Sequence, residues 1–221
     1  MSIGRQIDRL RKDVPEGVEI VAVSKFHPDT DIREAYDAGQ RVFGENRVQE
    51  LTEKQEKLPK DIRWHFIGSL QRNKVKYIAP FIDMIHSLDS ARLLREIEKQ
   101  AAANDRIIPC LLQIHIAEEE TKSGFSPDEC LRFLDKGEWK DCRHVQLSGV
   151  MGMATYTDDE KQVRKEFRNL KALFDRVKTA HFAEDPAFKE RSMGMSGDYP
   201  LAIEEGSTMI RVGTFIFGER P

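Results

Sequence analysis

Eight times along this chain a short run of apolar and β-branched residues is followed by a helical pattern and then by Gly or Pro. The runs fall at 19–24, 41–44, 62–68, 83–88, 107–116, 145–153, 191–195 and 208–213. Between them, apolar residues recur in steps of three and four, as in Val163, Phe167, Leu170, Phe174 and Val177. Strands that alternate with helices predict parallel α/β structure, because a parallel crossover needs a connection of helical length. A count of eight favours a closed (β/α)8 TIM barrel over an open doubly wound sheet. We therefore expect one barrel domain over 1–221. An N-terminal helix at 2–13 would cover its bottom or side, and the helix after the eighth strand looks stunted. Two capping boxes are expected, Ser126 with Glu129 and Thr157 with Glu160.

Composition narrows the function classes. Hydrophobic residues make up 39% of the 221 residues and charged residues 33%, enough for a real core. A net charge of −3 gives no electrostatic case for nucleic acid. No apolar run approaches the ~20 residues of a membrane span, and the N-terminus has no signal-like apolar segment. Cys110, Cys130 and Cys142 are too few and too scattered for a disulfide framework, which fits a reducing, cytoplasmic setting. The six histidines have no metal-ligand spacing, so no metal is expected. Nothing resembles an obligate interface, so a monomer is expected.

In a barrel of this kind the active site is built at the C-terminal ends of the strands. Polar residues gather there: Lys25, Glu45 and Asn46, His65 and Gly68, Ser87 and Asp89, Gln113 and His115, Ser196, Arg211, Gly213 and Thr214. Asp89 reads as a helix cap. Lys25 shares strand parity with Val21 and Val23. It is either a lysine that snorkels to solvent or a Schiff-base amine. The loops "MGMSGD" (193–198) and "RVGTFIFG" (211–218) occupy the places where barrels hold phosphate. Their glycines admit backbone N–H groups to an anion, and Ser196 and Thr214 add hydroxyls. Arg211 lies in an apolar strand and needs an acceptor, for which a carboxylate such as Glu45 is one candidate. Trp64 and Phe66 are expected to face outward, beneath the helices. "EEE" at 118–120 reads as a solvated loop.

The segments "VAVSK", "GENRVQEL", "WHFIGSLQRNK", "HSLDS", "SMGMSGDYPLAI" and "GSTMIRVGTFIFGER" closely resemble the pyridoxal-phosphate homeostasis proteins, single-domain relatives of the alanine racemase barrel. The resemblance runs from about residue 19 to the end and implies the same (β/α)8 fold. It implies that Lys25 carries pyridoxal 5′-phosphate and that Ser196, Gly213 and Thr214 hold the phosphate. It places Arg211 at the pyridine nitrogen and Asn46 and His65 near the ring. It implies a cofactor carrier in vitamin B6 homeostasis, without catalytic residues of its own. Its partners would be the cofactor, acceptor enzymes that depend on it, and amino acids. His115 departs from the asparagine usual in relatives, whereas Lys122 and Gly124 match.

An arginine opposite the pyridine nitrogen disfavours ring protonation and weakens the electron sink. A two-base racemase needs an acid or base on each face of the α-carbon. Lys25 offers one, and in alanine racemases a further domain and a partner subunit supply a tyrosine for the other. This chain ends eight residues after Gly213, so no such domain is expected. Tyr156 and Tyr199 are the only tyrosines expected near the right face. A small amino-acid racemase is the alternative reading. A cofactor-free Schiff-base aldolase is a third, disfavoured by the glycine–hydroxyl loops.

Overall fold

A computed structural model describes residues 2–118 and 123–219. The strands are β1 (Glu19–Val23), β2 (Val42–Glu45), β3 (Arg63–Phe66), β4 (Met84–Leu88), β5 (Ile108–Ile114), β6 (Val145–Gly152), β7 (Glu190–Ser192) and β8 (Met209–Val212). They pair in parallel, in sequence order, and β8 closes on β1. The expected (β/α)8 barrel is what forms. The helices are α1 (Ile3–Asp13), α2 (Asp29–Asp37), α3 (Val48–Lys57), α4 (Val75–Ile78), α5 (Ala91–Ala103), α6 (Pro127–Lys136), α7 (Glu160–His181), α8 (Tyr199–Glu204) and α9 (Thr214–Phe217).

Strand alternation divides the apolar residues between two cores. The larger lies between strands and helices and contains Phe43, Trp64 and Phe66, so the aromatic residues of β3 do face outward. A small cluster of Val21, Val42 and Met209, with Met84 packed against it, lies inside the barrel. Gly149 marks the closest strand contact. With φ at +151°, its added Cβ would stand 1.9 Å from the Glu190 carbonyl, and the β5–β6 register shifts beside it. A side chain there would force β6 and β7 apart.

The segment at 2–13 covers the flank of the barrel. Ile3, Ile7 and Leu10 share one face of α1 and are buried. Each such side chain is worth ~1.5–3 kcal/mol on burial. The helix packs against α2 and α9, and Gln6 donates to the Phe215 carbonyl at 3.0 Å. It fills the place beside α9, which has only one turn. The Ser126–Glu129 capping box is present. The second box is not: α7 starts at Glu160, and Asp159 is its cap, accepting from Lys161 and Gln162. Thr157 instead accepts from the Asp159 N–H. Likewise Ser90, rather than Asp89, caps α5. Among the described residues, no helix is long and apolar enough to cross a membrane.

Candidate functional site

The β1 exit delivers Lys25. Val21 lies in the interior cluster, and Lys25, four residues on, sits half-buried in the turn that follows the strand. The next residue, Phe26, has φ at +68°, a left-handed conformation that costs a non-glycine residue roughly 1–2 kcal/mol. A buried cluster on the outer side of the wall holds that turn. Lys54 of α3 donates to the Ser24 carbonyl at 2.8 Å, to Glu45 at 2.8 Å and to Glu50 at 2.7 Å. Glu50 also accepts from the Phe26 N–H at 2.6 Å, and Ser24 donates to Glu45 at 2.6 Å. Both neighbours of Lys25 are thus fixed through one ammonium. Burial raises the Glu45 carboxyl above its ordinary range, against the pull of Lys54. Lys54 was legible in part. It shares a helix face with Leu51 and Leu58, where a lysine is out of place.

Across β8 from this turn, Ser196 follows β7. Its hydroxyl accepts from the N–H groups of Gly213 at 3.2 Å and Phe215 at 3.4 Å. The two loops read as phosphate-binding therefore meet, at the start of α9. Thr214 is exposed there. An added Cβ on Gly213 would lie 3.1 Å from the Val23 carbonyl, so the ends of β8 and β1 adjoin. Lys25, Ser196, Gly213 and Thr214 lie around one sector of the mouth.

Arg211 faces the barrel interior and is 4% exposed. Its partners are the Ser192 hydroxyl at 2.6 Å and the Gly152 carbonyl at 3.0 Å. The suggested pairing with Glu45 does not occur, because Glu45 and Arg211 have opposite strand orientations and lie on opposite sides of the wall. Burial lowers the guanidinium to about 10. His65 also points inward. Its Nδ1 meets His86 Nε2 at 3.0 Å, and its Nε2 meets Asp83 at 3.5 Å. His86 Nδ1 meets Ser192 at 3.0 Å. Arg211 and His65 are thereby linked through Ser192 and His86, neither of them among the polar positions expected at the strand ends. A lone histidine at an inward position of an apolar strand was the available signal.

Asn46 ends β2. Its Oδ1 is buried without a hydrogen-bond partner among the described residues. Gly68 packs on its backbone, where an added Cβ would come within 2.4 Å of the Asn46 carbonyl. Gln113 donates to the Ser123 carbonyl and His115 contacts the Ala117 carbonyl, so both brace the β5 exit. Lys122 and two glutamates of "EEE", Glu119 and Glu120, lie outside the described residues. Tyr156 is 97% exposed, in the loop after β6. Tyr199 is buried edge-on against Phe215, and burial raises its phenol above the ordinary value. Burial likewise pushes the Cys130 thiol to about 12.

Comparisons with known proteins agree on one family. A sequence profile described as "Alanine racemase, N-terminal domain" matches residues 2–221. A pyridoxal phosphate homeostasis protein of Aquifex aeolicus is 37% identical over 225 residues, covering 99% of this chain and 96% of that protein. One of Helicobacter pylori is 41% identical, covering 91% of this chain and 88% of that protein. PipY of Synechococcus elongatus, solved with PLP bound, superposes with a TM-score of 0.88 at 36% identity, covering 98% of this chain and all of that one.

Proposed function

We propose, because this chain belongs to the alanine racemase N-terminal domain family and within it to the pyridoxal phosphate homeostasis proteins, that it binds pyridoxal 5′-phosphate and holds it for vitamin B6 homeostasis. One observation carries the reading: an amine, a hydroxyl-and-amide cradle and a buried guanidinium converge on a single barrel mouth. The PLP-bound PipY structure supports the choice of cofactor.

The residues fit such a group. Its aldehyde needs an amine, and Lys25 stands on a turn fixed on both sides. Its phosphate needs donors. The Ser196 hydroxyl already lies within hydrogen-bond distance of the N–H groups at Gly213 and Phe215. Its ring needs a polar partner at the nitrogen and room at the edge. Arg211 has no carboxylate partner among its hydrogen bonds, and Asn46 Oδ1 is buried and unpartnered among the described residues. When bound, the cofactor would supply an electrophilic aldehyde and an electron-accepting ring. Lys25 would hold the aldehyde end, and Ser196, Gly213 and Thr214 the phosphate. Arg211 would donate to the ring nitrogen and so disfavour its protonation, and Asn46 would lie at the ring edge. His65 would act from beneath, since both its nitrogens are engaged in the barrel interior.

The site supports holding the cofactor better than turning over an amino acid. Tyr156 projects into solvent and Tyr199 is packed away on α8, so neither is placed as a counterpart to Lys25. Acceptor proteins would reach the same open mouth. The test is exchange of the α-proton of added amino acids in deuterium oxide, with the cofactor present. The carrier reading expects exchange far below ordinary turnover of ~1–10³ s⁻¹. Turnover in that range, abolished by Lys25→Ala, would install the racemase reading in its place.

A further inference from the structure

Four side chains run beneath Arg211 as a connected line from the mouth of the barrel to its opposite end. Arg211 of β8 meets Ser192 of β7, Ser192 meets His86 of β4, and His86 meets His65 of β3. His65 then meets Asp83, which precedes β4 at the N-terminal end of the barrel. Ser192 and His86 are fully buried and His65 is 2% exposed, so water is not a competing partner for these links.

The chemistry of the ends sets the direction of every bond between them. A guanidinium only donates. Ser192 therefore accepts from Arg211, and its hydroxyl proton goes to the other neighbour, His86 Nδ1. His86 accepts there and, as a neutral ring, carries its proton on Nε2. That proton is donated to His65 Nδ1, which leaves the His65 proton on Nε2, facing Asp83. An ionised carboxylate only accepts, so the line ends consistently. One polarity satisfies every group, with both histidines neutral and both as the Nε2–H tautomer. Burial, and after it the neighbouring His65 and Arg211, also hold His86 well below its ordinary value.

We propose that Ser192, His86 and His65 are positioning residues, a hydrogen-bond chain of single polarity that ties the Arg211 guanidinium to the Asp83 carboxylate. Arg211 is thereby held as a fixed donor at the mouth, although its hydrogen bonds among the described residues go to a hydroxyl and a carbonyl and not to a carboxylate. The link to the cofactor rests on the function proposed above; the chain itself does not.

Two measurements test it separately. Nitrogen NMR of the histidine rings in the cofactor-free protein should show His86 and His65 both protonated at Nε2 only. A proton on Nδ1 of either ring, or a His86 that is cationic at neutral pH, would overturn the chain. In the protein loaded with pyridoxal phosphate, Ser192→Ala cuts the line next to Arg211 and should shift the visible absorption band. Ser192→Thr keeps the hydroxyl and should restore it. An unshifted band in Ser192→Ala would overturn the positioning role, even with the tautomers as expected. If the wild-type protein takes up no pyridoxal phosphate, the function proposed above fails, and the tautomers alone decide the chain.

Discussion

The two faces of the barrel wall treat a buried cation in opposite ways. Outside, between the strands and α3, Lys54 meets two carboxylates, Glu45 and Glu50. Inside, Arg211 meets a hydroxyl and a carbonyl, and the nearest carboxylate along its chain of contacts is Asp83, three side chains away. The first arrangement neutralises its charge on the spot and serves as an anchor for the Lys25 turn. The second leaves the charge without a hydrogen-bonded carboxylate, and Asp198 favours it electrostatically.

Stability should break this comparison open most sharply. Lys54→Met leaves Glu45 buried without its counter-charge. Removing one partner of a buried pair costs about 3–5 kcal/mol. Urea unfolding should show a loss of that size, together with a loosened Lys25 turn. Arg211→Met breaks no hydrogen bond to a carboxylate among the described residues. It loses two hydrogen bonds to neutral groups and relieves the desolvation of a buried charge, so the net cost should be about 1 kcal/mol. Equal losses in the two variants would mean that the interior cation is as locally paired as the exterior one.

The smallest effect concerns the far end of the interior chain. The hydrogen bond from His65 holds Asp83 below its ordinary value. A depressed carboxyl contributes stability that is fully present above the unfolded value, roughly pH 4. That contribution is lost as pH falls through the lower folded value. Asp83→Asn should therefore differ from wild type near pH 6 and converge with it at the acid end. A difference constant across that range would show that Asp83 is not held ionised by the chain.

The barrel was legible because its signal is repeated. Eight strand–helix alternations set the topology, and the inward and outward parity of "RWHF" followed once β3 was placed. The mouth residues were legible as strand ends. Their connections were not. Whether Arg211 reaches Glu45 or Ser192 depends on which side of the wall each side chain takes and on the stagger between strands. β-Bulges such as those in β4 and β6 hide that stagger from the sequence. His86 was missed for the same reason, since β4 shifts register between Ile85 and Leu88. Helix starts failed by a small margin, because Thr157, Asp159, Asp89 and Ser90 all have capping chemistry and only local geometry chooses among them.

The central claim is that Lys25 is the attachment point for pyridoxal phosphate. The direct measurement is the visible absorption spectrum of the purified protein after incubation with the cofactor and removal of the excess. The wild type should retain a band and Lys25→Ala should lose it, with the variant still folded. A wild-type protein that stays colourless, or a Lys25→Ala variant with the same band, would contradict it.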